Sequence, residues 1–334
     1  MTDSDQKLRL HIAALSSQPD VFWVTEERFA NACSRHPELA LRLEADWSWD
    51  LVGFDRAVRI SDILIGWRFG DLSQIRKTQR LKWIQLTGAG TEHLQPLDWL
   101  PRRIRLTNNA GVHGPKLAEF AGTSILMLNH GFPHYVTQQR RSKWSKQFTT
   151  TINGKSVLII GLGSTGGAVA KWLKTKLGLK VVGVRRSGQP HRYADSVFPP
   201  NQIDRLLPQA DFVVVTAPLT NETNNLLDRR RLSLLKPTAG LVNLGRAKII
   251  DYKALAEYLE EGRIAGAILD VFDPEPLPPT SLLWQTRNLI AVPHCSSDDA
   301  EHYIDHTLDL FFENLSRLLQ GKRLKNAISR RHQY

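Results

Sequence analysis

The segment Gly161-Leu162-Gly163-Ser164-Thr165-Gly166 combines spacing with chemistry more clearly than any other in this sequence. It directly follows the apolar run Ser156-Val157-Leu158-Ile159-Ile160 and opens an amphipathic stretch through Ala168-Val169-Ala170-Lys171-Trp172-Leu173. Glycine at the first position permits a tight turn, at the second lets a pyrophosphate approach the backbone, and at the third lets helix pack on strand. Amides of the helix N-terminus then meet the phosphates. Glycine-rich turns are common, and it is the strand before and the helix after that the mechanism requires. The next apolar run, Val181-Val182-Gly183-Val184, ends in Arg185-Arg186-Ser187-Gly188. No carboxylate stands there to hold the ribose 2′-hydroxyl of NAD. A carboxylate would repel a 2′-phosphate, whereas guanidinium can hold it bidentately. Two exposed surface arginines are the blander alternative. The expectation is NADPH/NADP, with NAD possible.

These residues need strands and helices to position them. From about residue 155, apolar runs at 156–160, 180–184, 211–216, 240–244, 264–271 and 288–293 alternate with helical segments. Residues 251–262 are the clearest helix, with Leu255, Tyr258 and Leu259 at helical spacing. The first hundred residues repeat the rhythm more weakly, with candidate strands at 8–14, 60–67, 82–87 and 103–107. A long apolar helix is expected from Pro115 to Gln139, and another over 299–319 ending at Gly321. Strands alternating with helices predict an α/β protein with parallel sheets covered on both faces. The expected organisation is two doubly wound domains, residues 106–296 being a Rossmann dinucleotide-binding domain inserted into a flavodoxin-like domain of residues 1–105 and 297–334.

Beyond the glycine loop, several segments resemble the D-isomer-specific 2-hydroxyacid dehydrogenase family. They are Val242-Asn243-Leu244-Gly245-Arg246, the run from Asp270 through Glu275 to Pro278, and Val292-Pro293-His294. Pro218-Leu219-Thr220 with Thr223, Leu117-Ala118-Glu119 and Gly88-Ala89-Gly90 extend the likeness over most of the chain. The resemblance implies reduction of a 2-keto acid, in which a hydride goes to the keto carbon and a proton to its oxygen. His294 would be the proton donor, as imidazolium is suited to that near neutral pH. Glu275 would hold the ring and raise its pKa. Arg246 would clamp the substrate carboxylate, a planar task that Lys does poorly. The amides of Ala89 and Gly90 match a second carboxylate anchor in the other domain, and Asp270 matches a residue at the nicotinamide end. Ala217, Pro218, Thr223, Leu244, Gly245 and Ser296 fall at further cofactor positions. Taken singly, each of these polar residues has a structural alternative: a surface ion pair for Arg246, an exposed loop for Glu275, a satisfied histidine for His294.

Departures from the family narrow the chemistry. Formate dehydrogenases place Gln where Glu275 stands and Asn at the turn position that matches His113, which disfavours formate. Phosphonate-oxidising relatives carry Lys in place of Ala89. The usual glycine after the arginine is Ala247 here. Cys295 beside His294 suggests a thiol nucleophile, but neighbours on an extended strand point to opposite faces, so a buried inert thiol is expected. The 11 histidines show no metal-ligand spacing, and no metal is inferred.

Composition bounds the rest. A chain of 334 residues can build two cores, and 42% apolar with 23% charged content is ordinary for a globular protein. No run approaches the ~18 apolar residues of a membrane span. The first fifteen residues lack signal-peptide order, and two cysteines make no disulfide framework, so a cytoplasmic location is expected. The formal charge of +11 could serve nucleic acid, but the basic residues are spread from Arg9 to Arg331 without a recognised module. A basic surface favouring anionic small molecules is the simpler reading. The leading function is an NADPH-dependent reductase of the glyoxylate/hydroxypyruvate type; the resemblance implies a homodimer, for which the long apolar helix has enough nonpolar surface, packing within its own domain being the alternative. The alternative is a nucleotide-sensing, co-repressor-like protein without turnover, which the complete Arg246, Glu275 and His294 set argues against.

Overall fold

The computed structural model describes residues 7–330; the first six residues, where the N-terminal reading began, and Arg331 lie outside the described residues. The chain divides into two units, one of residues up to Val112 together with those from Asp299 onward, the other His113–Asp298.

The first unit carries a five-stranded sheet of β1 (Leu8–Ala14), β2 (Leu43–Trp49), β3 (Ile63–Gly66), β4 (Trp83–Leu86) and β5 (Arg105–Thr107), ordered β2-β1-β3-β4-β5. Every pairing is parallel. Alternation along β3 explains why both faces are covered. Ile63 and Ile65 join Phe29 of the helix Glu26–Arg35 and Phe311 and Phe312 of the helix Tyr303–Leu319. Leu64, between them, joins Phe54, Val58 and Ile75 on the opposite side.

The second unit carries seven parallel strands: β6 (Ser156–Ile160), β7 (Lys180–Val184), β8 (Ser196–Phe198), β9 (Phe212–Val215), β10 (Gly240–Asn243), β11 (Gly266–Leu269) and β12 (Leu289–Ala291). Their order is β12-β11-β10-β9-β6-β7-β8. The chain runs outward from β6 to β8 and returns to β9 on the other side of β6. That reversal is a topological switch point, where open α/β sheets bind ligands beyond the carboxyl ends of their strands. The glycine loop leaves β6 there.

Three expected strands, 8–14, 156–160 and 180–184, coincide with β1, β6 and β7, while longer apolar runs are trimmed at their ends. β2 and β8 were not expected. Both are edge strands, and β2 alternates Glu44, Asp46 and Ser48 with its inward residues, so neither presents a continuous apolar run. The expected long helix is two, Gly114–Asn129 and Phe132–Arg140. Gly131, at φ 72°, takes the left-handed conformation at the break, and Pro133 starts the second helix. The last helix starts at Tyr303 rather than 299, and Gly321 at φ 65° follows its end. The first unit also keeps the chain past residue 105. Asn108 N donates to Asn326 O at 3.2 Å, and Asn109 Nδ2 donates to Thr87 O at 2.9 Å and Thr307 Oγ1 at 2.7 Å.

Asp62, just before β3, ties three strands of the first unit together. Its side chain is 4% exposed, accepting from Arg9 N at 3.0 Å and pairing with Arg80 Nη2 at 2.8 Å and Lys82 Nζ at 3.1 Å. Burial alone would raise its pKa, but the Arg9 amide and the two cations outweigh burial and hold it below the usual carboxylate range. The stabilisation is therefore present above the unfolded-state pKa and is lost as pH falls through the lower folded one. Asp62→Asn is expected to cost about 2 kcal/mol at pH 7. Denaturant unfolding should show the wild-type advantage shrinking as pH drops below 4, and a pH-independent difference would contradict this account.

Candidate active site

Local sterics explain the glycine loop. Gly161 sits at φ 103°, and a Cβ there would lie 2.4 Å from the Ala217 amide nitrogen. A Cβ on Gly166 would lie 2.4 Å from Gly161 O. Gly163 is different, since a Cβ there would meet nothing within 4 Å. The open space adjoins the start of the helix Ser164–Leu177, whose N-cap, Gly163, supplies no side-chain cap. Amides of Ser164, Thr165 and Gly166 have no preceding helical carbonyl to bond. This cradle of backbone donors beside open space fits the pyrophosphate of a dinucleotide. Leu162 has a packing role: its side chain is buried and occupies the space a Cβ on Gly183 would take. Ala217 and Gly245 complete the close approach, a Cβ on Gly245 falling 2.7 Å from Ala217 O. Thr223 pins the adjoining loop, its Oγ1 donating to Pro218 O at 2.7 Å and accepting from Thr220 N at 2.8 Å.

Beyond β7, Arg185 is half-buried and Arg186 and Ser187 are exposed. Arg185 N donates to Phe198 O of β8 at 3.1 Å, which fixes the backbone of this loop beside the switch point. The sequence reading missed His191, whose Nε2 lies 2.8 Å from where a Cβ on Gly167 would stand. Burial, then the charge of Arg185, pushes its pKa down.

Arg246 leaves the end of β10 half-buried, its Nη1 donating to Gly245 O at 2.8 Å. Its turn is built on Asn243, fully buried at the end of the strand. Asn243 Oδ1 accepts from Gly245 N at 3.1 Å, and Nδ2 donates to Arg246 O at 3.1 Å and Tyr252 OH at 2.9 Å. Tyr252 OH in turn donates to Val271 O at 2.8 Å. Burial drives the phenol pKa strongly up, so it stays a donor. Asn243 stood in the sequence motif without a role of its own, and Tyr252 went unread; a polar residue closing an apolar strand was the signal for Asn243. Leu244 is buried, as is Ala247 at the start of a short 3-10 turn, Ala247–Ile249.

His294 and Glu275 meet. Nδ1 of the histidine lies 2.8 Å from Glu275 Oε2, while Glu275 Oε1 accepts from Phe272 N at 2.8 Å. Their side chains are 43% and 38% exposed, open enough to be reached. Asp270 is buried beneath them, accepting from Cys295 N at 3.1 Å, Ser296 N at 3.2 Å and Ser296 Oγ at 2.5 Å. Burial raises its pKa against these donors. Asp270 and Ser296 thus brace the backbone that carries His294.

The expectation for Cys295 is corrected. β12 stops at Ala291, and His294 has φ 49°, so the pair lies in a tight turn, not on an extended strand. Cys295 is exposed rather than buried. Desolvation and the carboxylates of Asp270 and Asp298 push its thiol pKa up, away from the reactive thiolate. In the first unit, Ala89 and Gly90 occupy the bend after β4, where Asn108 Nδ2 donates to Ala89 O at 2.6 Å. Gly88 is required beside them, because a Cβ would stand 2.2 Å from the Trp67 ring. Among the described residues no group of three or more His, Cys, Asp or Glu could hold a metal, and no helix is long and apolar enough to cross a membrane.

Known proteins are similar to this chain. The family model for the D-isomer specific 2-hydroxyacid dehydrogenase NAD binding domain matches residues 123–296, more than half the chain. A glyoxylate reductase of Thermofilum pendens is 32% identical over 253 residues, covering 72% of this chain and 73% of the relative. A glyoxylate/hydroxypyruvate reductase B of Pectobacterium carotovorum is 36% identical over 187 residues, 55% of this chain and 58% of its own. Among solved structures, a D-isomer specific 2-hydroxyacid dehydrogenase from Xanthobacter autotrophicus, in complex with NADPH and MES, superposes with a TM-score of 0.81. It is 26% identical over 97% of this chain and 99% of that one. With two parallel sheets, a glycine loop at the switch point and the family's segments in order, the chain belongs to the D-isomer specific 2-hydroxyacid dehydrogenases and is a nicotinamide-dependent oxidoreductase.

Proposed function

We propose that the protein reduces a short 2-keto acid of the glyoxylate/hydroxypyruvate type to the D-2-hydroxy acid, with NADPH as the preferred cofactor. The observation that carries this reading is the 2.8 Å contact of His294 with Glu275, on a braced turn beyond β12. The glyoxylate reductases among the relatives support the substrate class.

The nicotinamide, when bound, supplies the hydride. The chain's own groups do the rest. Glu275 occupies Nδ1 of His294, which leaves Nε2 to give its proton to the keto oxygen and to take it back in the reverse direction. Glu275 cannot swing away easily, because its other oxygen is bound to the Phe272 amide. Arg246 clamps the substrate carboxylate through its planar guanidinium, and the Asn243 network fixes the turn from which it projects. Asp270 and Ser296 keep the His294 backbone in place, which holds the proton donor at one position.

The arginines after β7 support the cofactor preference. Arg185 and Arg186 stand at the end of the strand next to β6, where a ribose 2′-phosphate would need cations. The Xanthobacter relative with NADPH bound is consistent with that. Homodimer formation also belongs to this reading, through a different surface from the expected one. Leu117 and Ile125 of the helix Gly114–Asn129 are buried in their own unit's core, with Phe120 and Leu128 packed against it. Trp144 and Phe148, by contrast, are 93% and 92% exposed on the irregular segment that follows Arg140. We place the contact there.

Four experiments test the proposal. With NADPH and a panel of short 2-keto acids, absorbance at the nicotinamide band should fall. His294→Gln should lower kcat about 100- to 10,000-fold with NADPH binding retained; near-normal turnover would remove His294 from the donor role. Arg185→Ser with Arg186→Ser should raise the KM for NADPH at least about tenfold while leaving that for NADH nearly unchanged. Equal effects on both cofactors would deny the arginines a 2′-phosphate role. For assembly, light scattering should find a dimer that Trp144→Asp with Phe148→Asp converts to monomer; a monomeric wild type would refute it.

A further inference from the structure

His294 adopts φ 49°, a conformation that costs a residue with a side chain on the order of 1 kcal/mol and persists only where the surroundings impose it. Directly after it, Asp270 takes the amides of Cys295 and Ser296. The next two residues, Ser297-Asp298, are met from a separate element, the helix Gly114–Asn129. Its N-cap, His113, has a side chain 15% exposed, with Nδ1 3.3 Å from Ser297 O and 4.0 Å from Asp298 Oδ1. A carbonyl oxygen can only accept, so Nδ1 carries the proton in that bond.

We propose that His113 is a positioning residue for His294, its Nδ1–H tethering the far side of the proton-donor turn to the start of the helix Gly114–Asn129. The proposal rests on reading His294 as the proton donor. The charged groups around His113 fit a neutral ring. Arg246, from beyond β10, and His294, on the turn, each disfavour a further positive charge there, and Lys116 lies one turn along the same helix. Asp298 favours one. Burial, the largest influence, prevails and keeps the ring pKa low, while burial likewise raises that of Asp298. A neutral ring with a fixed Nδ1–H is a rigid tether, and rigidity matters here because a displacement of about 1 Å at a reacting group can cost 100-fold in rate.

Two substitutions of similar size separate positioning from simple packing. The side-chain amide of Asn can stand near His Nδ1, whereas that of Gln stands near Nε2. His113→Asn should therefore keep kcat within about threefold and preserve its pH profile. His113→Gln should lower kcat about 10- to 100-fold and displace the pH profile, with the KM for NADPH nearly unchanged and thermal midpoints of the two variants alike. Equal kinetics in the two variants, or losses that follow only the thermal midpoint, would overturn the proposal. Measuring His294→Gln alongside separates the two failures. If it abolishes turnover while the His113 variants match, only the tether is wrong. If it leaves turnover intact, the donor assignment falls and the tether with it.

Discussion

The turn that carries His294 depends on a buried carboxylate, Asp270, next to an exposed histidine. Three donors from Cys295 and Ser296 converge on it, and they hold a four-residue turn in a shape the chain would not keep alone. A buried carboxylate without such donors would be costly, and a left-handed histidine without such a brace would relax. Each resolves the other's cost. His294 can then present Nδ1 to Glu275 while its side chain stays partly exposed.

The same economy recurs around the sheet. At β10, Asn243 commits both side-chain N–H groups and its oxygen to the backbone of Gly245 and Arg246 and to Tyr252, so the arginine leaves from a fixed point. At β6, Gly161 and Gly166 are dictated by backbone atoms within 2.4 Å of any Cβ, while Gly163 faces open space. Two of the three glycines therefore serve packing, and the third leaves room for a ligand. Strand ends that carry chemistry are supported here by buried polar groups, whereas the strands themselves are held by apolar residues.

Much of the fold was legible because parallel strands buried on both faces read as continuous apolar runs. β1, β6 and β7 could be bounded from composition alone. The edge strands β2 and β8 could not, since an edge or half-exposed strand mixes polar residues into its pattern. The break at Gly131 was hidden by apolar residues on both sides of it. Of the site, the glycine loop, Arg246, Glu275 and His294 were visible as residue types in sequence order. Tyr252 and His191 were not, and Asn243 was visible without a role, because their roles lie in what they touch.

The sequence by itself determined the strand–turn–helix of the dinucleotide loop and the arginines beyond β7, which are written in local spacing, and its motifs carried the resemblance to the 2-hydroxyacid dehydrogenases. Only the tertiary structure decided that Cys295 is exposed beside a left-handed His294, that Glu275 reaches Nδ1 from nineteen residues away, and that His113 touches the same turn from another helix. These contacts join segments far apart in the chain, and the distances between them are set by how the sheet stacks its strands, which no local pattern records.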